Sequence, residues 1–336
     1  MRIGVAGVGR IGAMHAANLT ALDDVESVSL YDPVDGRADG LARKLGPRTR
    51  VVGDLAELLG DCDGVVVATP TDTHSAVVRQ CLGAGVPVLC EKPVAGDLAD
   101  MRALVEDIDA AGVEVLVGFQ RRFDPAIAEL HARLRRGDVG TVYHVRAVGM
   151  DATPPPFEYL PASGGIFRDL LIHDLDAVPW LVGDSVVEVF ASGSVQVAEE
   201  FAAADDVDNA VVVLRFAGGA HATLVGGRHD PVGYDHRIEV FGSRDSLTVG
   251  LDSRSPITSL EPGGPAAAPD AYPGFPERFH RAYQNEMAVF VDVVAGRAAN
   301  PSPARDSLSS LELAIACDES RRQGTPVRVS QAVSRS

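Results

Sequence analysis

The chain has almost no lysine. Of its 30 basic residues only Lys44 and Lys92 are lysines, and all the others are arginines. Cysteine is also sparse: Cys62, Cys81, Cys90 and Cys317 show neither CxxC spacing nor a neighbouring histidine. That excludes the usual zinc patterns and leaves buried free thiols of a reducing compartment as the expectation. No apolar run is long enough to span a membrane. Met1 to Gly7 lacks the apolar core and small-residue cleavage pattern of a secretion signal. Positive charge is scarce too, with a net charge of −17 over 336 residues. Nucleic acid and anionic membranes both require a positive surface, so neither is an expected partner. These absences point to a cytoplasmic protein of about two domains.

What is present falls into two halves. Up to about residue 122, short apolar strands alternate with helices, the strands being placed at 2–6, 27–31, 65–68, 86–89 and 113–117. Such alternation predicts a parallel sheet covered on both faces. From residue 123 to 336 the pattern changes. A helix, a strand at 141–148, a proline-rich loop at 154–156 and a helix over 167–181 precede a run of alternating strands between 186 and 249. Strands without interleaved helices predict a mostly antiparallel sheet, often open on one face to a partner. A loop over 261–276 and two helices, 277–295 and 302–323, close the chain. The fold class is therefore α/β: an N-terminal dinucleotide-binding domain (1–122), then a C-terminal α+β domain with a large open-faced sheet (123–336).

Three motifs carry chemistry. Gly7-Val8-Gly9-Arg10-Ile11-Gly12 follows the first strand and opens the first helix. The glycines let the backbone turn tightly against a pyrophosphate, which the helix N-terminus stabilises. Asp32 ends the second strand, close to the interval of about 20 residues expected for a carboxylate that binds the adenosine ribose. That carboxylate repels a 2′-phosphate, so NAD is favoured over NADP. The second motif is Cys90-Glu91-Lys92-Pro93, directly after an apolar strand. A partly desolvated lysine can share its proton, which a guanidinium cannot. The third is Gly164-Gly165-Ile166-Phe167-Arg168-Asp169-Leu170-Leu171-Ile172-His173-Asp174. On one helix Asp169 and His173 share a face, and such a pair can bind a hydroxyl and accept its proton. An ordinary surface Asp–His pair has the same spacing. Asp174 and Asp176 lie off that face and are read as solvated or capping. Arg168 sets a cation next to Asp169 in sequence. No convincing metal-ligand cluster is visible.

Together with Ala68-Thr69-Pro70-Thr71-Asp72-Thr73-His74 and Gly118-Phe119-Gln120-Arg121-Arg122-Phe123-Asp124-Pro125, these motifs resemble the Gfo/Idh/MocA family of NAD(P)-dependent oxidoreductases from end to end. Within that family the chain is most similar to inositol 2-dehydrogenases. The resemblance implies a Rossmann domain and an open-faced sheet domain that forms dimers and tetramers. It makes Lys92 the catalytic lysine and Asp169 and His173 the Asp-x-x-x-His pair. The cofactor contacts implied are Gly7, Gly9, Arg10, Ile11, Gly12, Asp32, Thr69, Pro70, His74, Glu91 and Lys92. Substrate contacts are expected from Lys92, Gln120, Arg122, Asp151, Asp169, His173 and Tyr234, with His236 nearby.

The activity so implied is NAD-dependent oxidation of a secondary alcohol of a cyclitol. His173 takes the hydroxyl proton, Lys92 hydrogen-bonds the same oxygen, and Asp169 holds a substrate hydroxyl and orients Lys92. The same residues suit a hexose, amino-sugar or sugar-phosphate dehydrogenase. From another class, a non-catalytic dinucleotide-binding sensor is expected to have lost Lys92, Asp169 or His173, and all three are present.

Overall fold

The computed structural model describes residues 1–329. It divides into two compact units. The first contains six parallel strands: β1 (Arg2–Ala6), β2 (Ser27–Tyr31), β3 (Thr49–Val51), β4 (Gly64–Val67), β5 (Val88–Cys90) and β6 (Val115–Val117). They are ordered β3-β2-β1-β4-β5-β6, the doubly wound dinucleotide-binding order. Helices α1 (Arg10–Thr20), α2 (Arg37–Leu45), α3 (Leu55–Asp61), α4 (Thr71–Ala84) and α5 (Leu98–Ala111) connect them. Strand β3 and helix α3 have no counterpart in the sequence reading. At three residues, Thr-Arg-Val, β3 is too short and too polar to show a pattern.

The domain boundary differs from the sequence division. The first unit comprises residues 1–124 and also 281–308, while the second holds 125–280 and the chain from 309. The reason is a helix further along, α12 in the numbering completed below. Its Met287, Phe290 and Val291 are buried in one cluster with Val5, Leu30, Val66 and Leu89. Gly64 makes room for this helix, since a Cβ there would lie 2.7 Å from Val294 and 3.2 Å from Phe290. Amphipathic pattern shows that a helix has an apolar face; it does not show which sheet receives it.

The second unit contains α6 (Pro125–Arg135), α7 (Leu160–Ser163), α8 (Ile166–Asp169), α9 (Ile172–Val182), α10 (Glu199–Ala203) and α11 (Phe275–Arg278). Helix α12 (His280–Val294) then enters the first unit, and α13 (Ala304–Gln323) returns to the second. The second unit's sheet has seven strands: β7 (Val142–Met150), β8 (Val186–Ser194), β9 (Asn209–Phe216), β10 (His221–Gly227), β11 (Asp235–Gly242), β12 (Ser246–Val249) and β13 (Val327–Arg328). Its order is β12-β11-β7-β10-β9-β8-β13. All pairings are antiparallel except β7 with β10.

Burial alternates along these strands, as in β9, where Ala210, Val212, Leu214 and Phe216 are inside. The other face is open and partly apolar. Register sets Phe190, Val213 and Thr223 in one row and Val211 and Val225 in the next. Val211 (45% exposed), Phe190 (38%) and Val213 (37%) are too exposed for core positions. A contiguous apolar patch of this kind marks an interaction surface.

Candidate functional site

In the first unit the predicted residues gather at the carboxyl edge of the parallel sheet, where ligands of open α/β sheets bind. Gly7 ends β1 with φ +84°, and a Cβ there would sit 2.6 Å from the Ala68 carbonyl after β4. Only glycine permits that approach at the point where the strand order reverses. Gly9 caps α1 with no side-chain hydrogen bond, nothing within 4 Å of where its Cβ would be, and no acidic residue in the first helical turn. Arg10 is exposed, Ile11 half-buried and Gly12 buried. This is an open helix N-terminus that suits a pyrophosphate.

Asp32 follows β2, and its side chain is only 2% exposed. Its Oδ2 accepts from the Val8 amide at 2.9 Å and its Oδ1 from the Val34 amide at 3.0 Å. Arg37, at the start of α2, reaches both oxygens at 3.2 and 3.3 Å. The carboxylate is thus pinned to the glycine turn, and a ribose hydroxyl would bind it in place of the exposed Arg37, whose contacts are the longest of the four. These residues fit the adenosine and pyrophosphate parts of NAD.

Around β4 and β5 the picture changes from the sequence expectation. His74 is buried, with Nδ1 2.8 Å from the Pro93 carbonyl and Nε2 2.7 Å from the Thr69 carbonyl. It braces the loops after β4 and β5 together and does not present an edge to a ligand. The Thr73 hydroxyl donates to that of Thr69 at 2.7 Å, and Pro70 is exposed. Lys92 is half-buried directly beyond β5. Gln120 and Arg122 lie in a short buried 3₁₀ turn, Gln120–Phe123. Arg122 pairs with Asp306 at 2.8 Å and donates to the Pro301 carbonyl at 2.9 Å, so it ties down the first turn of α13 and the chain leading into it.

Glu91 belongs to a cluster that no spacing rule links. His15 of α1, Glu91 and Glu286 of α12 bring ligand atoms within 4.8 Å of one another. His15 Nε2 is 2.6 Å from Glu91 Oε1. Burial pushes the Glu91 carboxyl up, but the His15 hydrogen bond and the nearby charges of His15, Lys92 and His74 outweigh it, so it ends below its ordinary value. Glu286 is fully buried, and burial together with the Glu91 charge pushes it far up. A neutral acid beside an ionised one explains the set.

The folded protein therefore keeps a proton on Glu286 that the unfolded chain releases above its ordinary 4.5. Stability from this group is full below that pH and lost as pH rises. Glu286→Gln removes the loss. Its melting temperature should gain a few degrees on the wild type between about pH 5 and pH 8. A difference that stays constant with pH in thermal melts would show Glu286 ionised in the fold.

In the second unit Asp169 and His173 are not on one continuous helix. Helix α8 stops at Asp169 and α9 starts at Ile172, with Leu170 and Leu171 between. The Leu171 amide reaches back five residues to the Ile166 carbonyl at 2.9 Å, which widens the turn and breaks the ladder. The glycine pair is required: Gly164 and Gly165 have φ +77° and +86°, and a Cβ on Gly165 would lie 3.0 Å from Asp206. Asp206 in turn accepts from the Ile166 amide at 2.9 Å and fixes the start of α8.

Asp169 and His173 are both half-buried. Asp169 accepts from the Tyr159 hydroxyl at 3.1 Å and is paired with Arg228 at 2.9 Å. Arg228 also meets Asp151 at 3.2 Å. Arg168, the sequence neighbour, instead lines a hollow with Asp318, Glu319 and Arg322 of α13. Asp174 and Asp176 are buried, which corrects their reading as solvated. Helix α9 is buried all round from Asp174 to Val178, and Asp174 lies 3.4 Å from a buried His236. Tyr234 is buried with its ring edge-on to Phe279 at 6.3 Å. Arg228 had no signal in the sequence, where one arginine among many gives nothing to single out.

Residues 1–119 match the model of an oxidoreductase family with an NAD-binding Rossmann fold, and residues 127–248 that of the GFO/IDH/MocA C-terminal domain. A myo-inositol 2-dehydrogenase of Thermotoga maritima is 36% identical over 335 residues, 99% of this chain and 100% of its own. The crystal structure of a myo-inositol dehydrogenase from Corynebacterium glutamicum superposes with a TM-score of 0.89 at 36% identity, covering 99% of each chain. The Lactobacillus casei myo-inositol dehydrogenase solved with NAD(H) and myo-inositol gives 0.84 at 25% identity over 99% of this chain and 97% of its own.

Proposed function

Because the chain belongs to the GFO/IDH/MocA oxidoreductase family, we propose that it oxidises a secondary alcohol of a cyclitol, myo-inositol or a related inositol, to the ketone with NAD. The observation that carries this reading is the full-length similarity to inositol dehydrogenases, which takes in both units. NAD supplies the hydride acceptor. The glycine turn and α1 hold its phosphates, and Asp32 receives the ribose hydroxyls.

His173 takes the proton of the reacting hydroxyl. Lys92 donates a hydrogen bond to that oxygen as negative charge develops on it. Asp169, ionised beside Arg228, accepts from a substrate hydroxyl, and Asp151 faces the same guanidinium. Gln120 and Tyr234, both buried, shape the surroundings. The charges favour an uncharged polyol over a sugar phosphate: Arg228 is paired with Asp151 and Asp169, and Arg122 with Asp306.

The protein acts as a cytoplasmic homo-oligomer, a dimer or tetramer. Four buried free cysteines and the open apolar sheet face support that part of the reading. Among the described residues no helix is long and apolar enough to cross a membrane. Initial rates of NAD reduction across neutral polyols and phosphorylated sugars test the substrate class.

A further inference from the structure

We propose that Arg228 is a positioning residue for the oxidation, holding Asp169 and Asp151 as two fixed, ionised carboxylates; this rests on the dehydrogenase reading above. The parallel register of β7 and β10 pairs Met150 with Gly227. The next residues, Asp151 and Arg228, therefore leave the sheet side by side. Backbone bonds hold both: the Asp151 amide donates to Gly227 at 2.9 Å and the Arg228 amide to Asp208 at 2.8 Å. The guanidinium is 3% exposed, with Nη1 3.2 Å from Asp151 Oδ2 and Nη2 2.9 Å from Asp169 Oδ2.

A planar fork holds two carboxylates in a fixed mutual geometry, whereas an ammonium is a point charge on a flexible stem. Burial of such ions seldom adds net stability, so their retention points to geometry. Asp169 sits where α8 ends and the chain turns into α9, a place where its helix alone does not fix the side chain. The Tyr159 hydroxyl holds one oxygen and Arg228 the other. The charged and titratable groups near this point include Asp151 and Asp206 by Arg228, and His173 at the start of α9. Removing the guanidinium takes from Asp151 and Asp169 the cation they share.

The test uses full-length Arg228→Lys and Arg228→Met, assayed with NAD and the best polyol of the wild type, alongside NAD titration and thermal melts. In the Lys variant kcat/KM should fall roughly 10- to 100-fold with NAD affinity unchanged. The acid limb of the Met variant's kcat/KM profile should move to higher pH, because a carboxylate that loses a close cation protonates more readily. Its kcat/KM should fall further than that of the Lys variant, which keeps the charge and loses only the fork. A Lys variant with wild-type kcat/KM, or a folded Met variant with an unmoved acid limb, overturns the proposal, whatever the melting temperatures. A wild type that oxidises no polyol overturns the polyol reading on which this role rests.

Discussion

His173→Gln lowers kcat by roughly 10²- to 10⁴-fold, the range lost with a general base. NAD affinity and the melting temperature stay close to wild type. The two roles open to His173 differ enough in size to be separated by one variant. As half of an ordinary Asp–His surface pair it contributes a few tenths of a kcal/mol to helix stability, and its removal leaves turnover alone. As the base it carries the proton of every turnover. The break between α8 and α9 weakens the surface-pair role further, because Asp169 and His173 no longer stack one turn apart on a single helix. Glutamine keeps the side chain polar while removing a titratable nitrogen. Its residual rate should also lose the neutral-pH inflection of the wild type, since imidazole titrates there. Steady-state kinetics over a pH series, with NAD titration as the folding control, give the answer. A variant within tenfold of wild type would take His173 out of the chemistry.

Lys92→Met is expected to cost about 10²- to 10³-fold in kcat, the loss that follows removal of a donor to a developing oxyanion. Methionine matches the length and apolar stem of lysine, so folding should survive. Lys92→Arg should not restore the rate: a guanidinium holds its charge in a wider, flat group that is never deprotonated. Such a result would separate the chemistry of an ammonium from mere positive charge. The surroundings of Lys92 are built to hold it still. His74 ties the Pro93 carbonyl to that of Thr69, and Glu91 is fixed by His15. A Lys92→Met enzyme with most of its activity would make this lysine a salt-bridge former of no catalytic weight.

Much of this was visible in the residues themselves, wherever the constraint is local. The glycine turn, Asp32 at the end of β2, and the lysine after β5 follow from strand, turn and helix start within a few positions of each other. The open sheet followed from alternation such as that of β9. What escaped was tertiary. Gly64 is a strand glycine until α12 is seen lying against it. His15, Glu91 and Glu286 are spread over some 270 positions, and Arg228 finds Asp151 only through the parallel pairing of β7 with β10. The helix read through 167–181 failed for a different reason: no glycine or proline stands at Leu170–Leu171, so nothing local marks the wide turn there. Asp174 shows the limit of reading an acidic residue as exposed, since a buried histidine stands opposite it in the fold.

The central claim is the reaction, and its most direct test is the initial rate of NAD reduction by the purified full-length protein. The panel holds myo-inositol, scyllo-inositol, glucose, glucose 6-phosphate and amino sugars, each repeated with NADP. A clear preference for one cyclitol with NAD is the predicted result. Silence on every cyclitol, with turnover of a phosphorylated sugar and NADP, would contradict it.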